Sequence, residues 1–347
     1  MKYGNAKRLI STRTLSRQEW LSARNAGIGS SDAAAALGLS PYKSPLELWL
    51  EKTGRRTPED ISEKDAVFWG STLEPIIASV YAQRSEQRVH RVNALLQHPQ
   101  HPFMLANLDR AAGSDGILEI KTAGHHSAHL WEDGVPDAYH CQVVHQLAVT
   151  GKAWADVAVL IGGQDFRVYR IARNEAEIAA LIERESTFWR HVQSDVAPDP
   201  DGSESAGRSL SWLYPRDAGQ TVDCSDSPSL NRVFQDLLSL RRQREQLEFL
   251  EATYKQTLQA AMGSATAAVF AGGKVSWKTS RDSNGTDIKR LLADHPQLAR
   301  QYAITVGGSR RFLMQVGRDD KASPSGASPI LPAPTTEPVE QQTATSV

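Results

Sequence analysis

A chain of 347 residues with 40% apolar and 23% charged content is an ordinary folding chain able to bury a sizeable core, and its length suggests two domains. A net charge of −1 neither announces nor forbids a nucleic-acid binder, since a local patch is what matters. The two cysteines, Cys141 and Cys224, exclude a disulfide framework and a Cys-rich zinc site and fit a reducing compartment.

The N-terminal stretch MKYGNAKRLISTRTLSRQEW holds no apolar core of signal-peptide length, and the apolar run Val157 to Ile161 is far short of a membrane span. The expectation is a cytoplasmic protein with no membrane partner. In the next block, ARNAGIGSSDAAAALGLSPYKSPLELW, Gly27 and Gly29 permit a tight approach, and Ser30 or Ser31 caps a helix running through Asp32 to Leu37 and ending at Gly38. A helix N-terminus with free amides, hydroxyls and the nearby Arg24 makes a phosphate site; simple capping is the other reading. GIGSSD lacks the third glycine of a dinucleotide fingerprint.

The central segment MLANLDRAAGSDGILEIKTA predicts two strands, Met104 to Asp109 and Ile117 to Thr122, joined by a turn at Ala112 to Gly116 and paired in one sheet. Alternation puts Glu119 and Lys121 on one face of the second strand and Leu118 and Ile120 on the other, in the core. Asp109 closes on the Glu119 face. Two carboxylates beside an ammonium suit phosphodiester hydrolysis: hard oxygen ligands for Mg2+, and a cation that positions or activates water and offsets negative charge. The D-x9-E-x-K spacing alone is weak, because charged hairpin faces produce it by chance.

Other features read as ordinary. HHSAH, holding His125, His126 and His129, lacks the glutamate of a zinc protease motif, and these histidines are expected to be exposed. Trp49, Trp69, Trp131, Trp154 and Trp189 are expected in the core. There is no Walker-type loop and no G-x-S-x-G elbow.

After Asp195 the text DVAPDPDGSESAG has linker composition. Apolar residues from Leu230 to Ala261 recur at three and four spacing and predict one long helix. A small α/β module follows, with strands at Ala267 to Lys278 and Gly308 to Val316 around a helix from Thr286 or Asp287. Between Gly263 and Arg318 nine Lys or Arg face three Asp, which makes a basic accessory surface one reading and a solvated face the other. The tail from Lys321 is rich in Pro, Ser and Thr and is expected to be disordered. The domain organisation expected is therefore 1–197 catalytic, 198–227 linker, 228–318 accessory and 319–347 tail.

These blocks together resemble the PD-(D/E)xK nuclease superfamily, in particular its YqaJ-type phage recombinases related to lambda exonuclease. The resemblance rests on residues 23–49, on FWGSTLEP at 68–75, on LDR followed by DGILEIKTA, and on YHCQVVHQLAVTG at 139–151, in that order. It implies an α/β, restriction-endonuclease-like core with a central mixed sheet flanked by helices, followed by the long helix and the accessory module. It matches Asp109 and Glu119 to metal-binding carboxylates, the Ile120 carbonyl to a further ligand, and Lys121 to the catalytic lysine. Glu74 matches an acid beside the metal site, Gln142 a glutamine lining it, and Arg24 and Ser31 a 5′-phosphate clamp. Leu108 stands where the superfamily name has proline. The implied activity is ATP-independent, Mg2+-dependent exonuclease action on duplex DNA ends, 5′ to 3′, with Mn2+ as a substitute metal. A single-strand annealing partner and a ring-shaped homotrimer are implied as well. An endonuclease on the same core and an inactive DNA-binding scaffold are the alternatives.

Overall fold

Local sequence signals set the first elements of the structure, a computed structural model that describes residues 3–305 and 307–314. After β1 (Lys7–Ser11), α1 (Arg17–Asn25) starts on a capping box: the Ser16 hydroxyl accepts the Glu19 N–H, and the Glu19 carboxylate accepts that of Ser16. β2 (Ile28–Gly29) runs straight into α2 (Ser30–Ala36). Here the structure corrects the sequence expectation. Pairing with a neighbouring strand holds Ile28 and Gly29 extended, so the cap is Gly29, which has no side chain to bond, and Ser30 and Ser31 are already helical. A β-carbon at Gly29 would stand 3.1 Å from the Arg24 guanidinium. α3 (Pro45–Lys52) has Pro in its first turn and Ser44 as cap, and α4 (Asp65–Ser85) is the long helix that carries FWGSTLEP.

The remaining strands of the first unit are β3 (Val89–Arg91), β4 (Ala94–Gln97), β5 (Met104–Ala106), β6 (Arg110–Ala112), β7 (Gly116–Ala123), β8 (Trp154–Ile161) and β9 (Asp165–Ala172). They form two mixed sheets instead of one: β1-β4-β5-β2 and β3-β6-β7-β8-β9. The predicted strand Met104 to Asp109 is therefore cut short at Ala106, and the partner of β7 is a separate strand beyond it. β5 joins the smaller sheet, the chain crosses between sheets at Asn107 to Asp109, and β6 is the antiparallel neighbour of β7. The first residue of β7 is glycine because a β-carbon at Gly116 would meet the Trp154 ring at 2.3 Å.

β7 and β8 are parallel, so the chain between them must cross over the sheet, and α5 (Asp137–Thr150) makes the crossing after a 3-10 turn at His125–Trp131. Leu118 and Ile120 pack with Ile77, Ala78 and Tyr81 of α4, while Val143, Val144 and Leu147 of α5 join the core that includes Ile117. Both faces of β7 are thus covered. α6 (Glu175–Ser194) backs α5 through a fully buried pair: His145 Nδ1 is 2.7 Å from Glu185 Oε1, and its Nε2 is 2.9 Å from the Leu105 carbonyl. Burial pulls this imidazole down, but the Glu185 carboxylate holds it above its ordinary value.

Residues 204–213, expected within a linker, form α7 (Glu204–Leu213). Ser203 caps it, and the Ser205 hydroxyl accepts the Ser44 N–H and donates to the Glu47 carboxylate. Small polar residues pack this helix on α3, and that composition is also what makes the segment read as a loop. The chain accordingly divides into compact units Met1–Pro215 and Arg216–Val347.

In the second unit α8 (Pro228–Met262) is the single long helix the periodicity predicts, capped by Ser227 and ended by Gly263. The stretch 267–278 is a hairpin, not one strand: β10 (Ala267–Phe270) and β11 (Gly273–Ser276) turn at residues 271–272. α9 (Ile288–Asp294), capped by Asp287, and α10 (Pro296–Gln301) follow. Residues 308–314 form no strand, and Gln315, Val316 and the tail from Asp319 lie outside the described residues. Among the described residues no helix is long and apolar enough to cross a membrane.

Candidate active site

β7 carries the centre. Glu119 and Lys121 project from it toward α5, and Glu119 is 3% exposed. A buried carboxylate needs partners on both oxygens. Oε1 accepts from Lys121 Nζ at 2.7 Å and from Gln142 Nε2 at 2.6 Å, and Oε2 accepts from Gln146 Nε2 at 2.7 Å. The Lys121 ammonium also donates to Gln142 Oε1 at 3.0 Å and lies over the Tyr139 ring. Burial works against its charge, but Glu119, with Asp109 and Tyr139, more than compensates, and Lys121 is held above its ordinary value.

Asp109 comes from the crossing between the two sheets. Its Oδ2 accepts the Ile120 N–H at 2.8 Å, which pins the carboxylate to the strand that bears Glu119. Burial first, and the Glu119 charge second, push its pKa up to about 8 despite Lys121 and the Ile120 hydrogen bond. Glu74, on α4, accepts from the Arg110 guanidinium, which also donates to the Asp109 carbonyl at 2.6 Å. Asp109, Glu119, Lys121, Glu74 and Gln142 therefore form one connected group.

Arg110 and Gln146 complete this group and were not foreseen. Gln146 lies four residues after Gln142 on a helix and so shares its face, a signal the sequence did contain. Arg110 had no such signal: it adjoins Asp109, yet it pairs with Leu118 on the opposite side of the strand alternation from Glu119.

A second group sits at the start of α2. Arg24 Nη2 donates to the Ser31 hydroxyl at 2.7 Å and to Asp32 Oδ2 at 3.3 Å, and Lys52 Nζ donates to the same Asp32 oxygen at 3.0 Å. Burial raises the Asp32 carboxyl, but Lys52, Arg24 and Lys43 together hold it well below the usual carboxylate range. Ser30 is buried, and its hydroxyl has no hydrogen-bond partner among the described residues. Ser31, Tyr42, Thr122, Tyr139 and Gln142 line one cleft of about 360 Å3, which joins this group to the first.

His125, His126 and His129 are exposed on the 3-10 turn. Trp49 and Trp131 are core residues as expected, whereas Trp69 is 55% exposed and meets Phe68 edge to face. It lies in the first turns of α4.

Among the described residues no three His, Cys, Asp or Glu side chains cluster as a metal cage. Asp109 and Glu119 bring two carboxyl groups within electrostatic reach of each other. That suits Mg2+, which keeps several waters and takes one or two carboxylates, and not a cation that needs a full protein cage. A cation between Asp109 and Glu119 would also relieve the repulsion that raises Asp109.

In metal-free protein the raised Asp109 carboxyl makes stability depend on pH. A folded-state value above the unfolded one means that its contribution is complete below about 4 and is lost as pH rises through about 8. The melting temperature in a chelator is expected to fall across that window, and the Asp109→Asn variant is expected to show a flatter profile. Identical profiles would contradict the electrostatic account.

The sequence pattern described as the YqaJ-like viral recombinase domain matches residues 19–153, a span that holds every candidate site residue. YqaJ of Bacillus subtilis (strain 168) is 35% identical over 298 residues, covering 84% of this chain and 92% of that protein. Protein R354 of Acanthamoeba polyphaga mimivirus is 31% identical over 148 residues, 38% of this chain and 26% of that protein. Among solved structures, an alkaline exonuclease from Laribacter hongkongensis is similar at 23% identity and a TM-score of 0.44, covering 57% of this chain and 100% of that one, a likeness too loose to argue from.

Proposed function

The chain belongs to the YqaJ-like viral recombinase family, and on that premise we propose that it hydrolyses DNA phosphodiesters from duplex ends with Mg2+. The direction in this reading is 5′ to 3′, which exposes a 3′ single strand for an annealing protein, and a ring-shaped homotrimer is the assembly. The observation that carries the reading is the single cleft shared by Ser31 and Gln142, with Lys121, Glu119 and Asp109 connected behind Gln142.

Asp109, Glu119 and the Ile120 carbonyl would hold Mg2+, or Mn2+ in its place. Bound there, the ion supplies Lewis-acid polarisation of the phosphoryl oxygen. The chain's own residues do the rest. Gln142 and Gln146 fix the rotamer of Glu119, so its carboxylate is preorganised. Lys121, held between Glu119 and Gln142, orients the attacking water and offsets charge building on the phosphate. Glu74, tied to Arg110, adds an acid at the edge of the centre.

Arg24 and Ser31 hold the 5′ phosphate in this reading, with Ser30 beside them. Asp32 and Lys52 keep the Arg24 guanidinium aimed at the Ser31 hydroxyl. A charge-assisted hydrogen bond is worth about 1.5–3 kcal/mol, so Arg24→Ala should erode the preference for 5′-phosphate over 5′-hydroxyl ends by roughly tenfold to a hundredfold. An unchanged preference would return the block to a structural role.

The reaction type is tested with covalently closed circular duplex against the same molecule linearised, both with Mg2+. An end-dependent enzyme consumes only the linear form. Cutting of the circle would make the protein an endonuclease, and binding without nucleotide release a scaffold.

A further inference from the structure

The hairpin β10–β11 presents one apolar face that the described residues leave partly exposed. Phe270 pairs with Gly273 and Ala268 with Val275, and the Trp277 N–H donates to the Thr266 carbonyl, which continues the ladder by one more rung. Cross-strand partners share a face and successive residues alternate. Ala268, Phe270, Val275 and Trp277 therefore stand on the same side. Phe270 is 47% exposed and Trp277 49%. A two-stranded hairpin is marginal unless one face is packed, so two large rings left open on this one suit a partner.

The charge around that face selects the partner. From Gly263 to Arg281 there is no acidic residue, while Lys274, Lys278 and Arg281 follow one another around Trp277. Lys274 pairs with Val269 on the opposite face, and its long stem lets the ammonium reach the rim. Over the described residues 263–314 eight Lys or Arg stand against three Asp. An apolar protein surface would not require a rim of cations alone. A duplex has the phosphates but hides its base faces in the stack. A single strand offers both unstacked bases and a phosphate chain.

We infer that the Phe270–Trp277 face of the hairpin binds single-stranded DNA, with bases stacked on the two rings and phosphates met by Lys274, Lys278 and Arg281. Only the choice of DNA as the nucleic acid rests on the proposed function. No residue of the candidate active site takes part.

The test uses the full chain in a chelator, so that nothing is cleaved, with a fluorescent 5′-hydroxyl oligothymidylate. Stacking on an aromatic ring is worth about 1–3 kcal/mol per base, so the double variant Phe270→Ala with Trp277→Ala should bind at least about tenfold more weakly. Trp277→Tyr, which keeps a ring, should retain most of the affinity. Lys274→Gln with Lys278→Gln should flatten the dependence of log affinity on log salt by about 1.4. Unchanged affinity in the double alanine variant would overturn the inference and leave the face to a protein partner. Equal losses in Trp277→Tyr and Trp277→Ala would overturn it too, as the mark of a packing role. Because no cleavage is involved, a wild-type protein that shows this binding but releases no nucleotide would sink the nuclease reading and leave this one standing.

Discussion

Asp109→Ala or Glu119→Ala is expected to lower nucleotide release from linear duplex by at least about a thousandfold, the loss of several kcal/mol that an ion's charge stabilisation provides. Duplex binding should persist, because Arg24, Ser31 and the walls of the cleft remain. The two variants should differ in stability. Asp109→Ala deprives one backbone amide, that of Ile120, of its acceptor and also removes a carboxyl whose ionisation is opposed by burial and by Glu119. Glu119→Ala leaves Lys121, Gln142 and Gln146 without the oxygen on which all three converge. Each buried donor left unsatisfied costs about 1–3 kcal/mol, so Glu119→Ala should melt lower. Asp109→Asn keeps an acceptor for the Ile120 amide and serves as the folded control. Turnover near the normal rate in any of the three would remove these carboxylates from the mechanism.

Lys121→Ala should also cost at least about a thousandfold in rate, at the upper part of the range for a group that moves or positions a proton, but it should spare the metal. Removing an ammonium from beside Asp109 and Glu119 leaves the centre more negative, so Mg2+ affinity measured by calorimetry should hold or rise. Arginine should not substitute for it. The lysine stem fits between Glu119, Gln142 and the Tyr139 ring as a point charge, and a planar fork presents its donors along other directions. Loss of Mg2+ binding together with a lowered melting temperature would instead make Lys121 a packing residue.

What the sequence made legible was mostly periodicity. The alternation along Gly116–Ala123 placed Glu119 and Lys121 opposite Leu118 and Ile120, and the three-and-four spacing marked out the long helix. Pairing partners were not legible, because a strand's pattern says which face is buried and nothing about which sheet receives it. That is why Met104 to Asp109 read as the hairpin partner of Ile117 to Thr122, although Met104–Ala106 belongs to the other sheet and Arg110–Ala112 is the pairing strand. At α2 the sequence showed two serines in cap position, but strand pairing at Ile28 and Gly29 put the cap at Gly29, before both serines. Arg110 escaped because its contact with Glu74 spans 36 residues of chain. Trp69 escaped because α4 has no clear apolar stripe from which to tell its buried positions from its exposed ones. α7 was hidden by a composition that suits a loop and a close helix contact equally well.

The central claim is that a metal-dependent nuclease centre is assembled on β7. The most direct test is a time course with linear duplex carrying a label at its 5′-phosphorylated end, run in Mg2+ and again in a chelator. The account predicts early release of the labelled nucleotide in Mg2+ and none in the chelator. Release that continues in the chelator, or a duplex that stays intact in Mg2+, would contradict it.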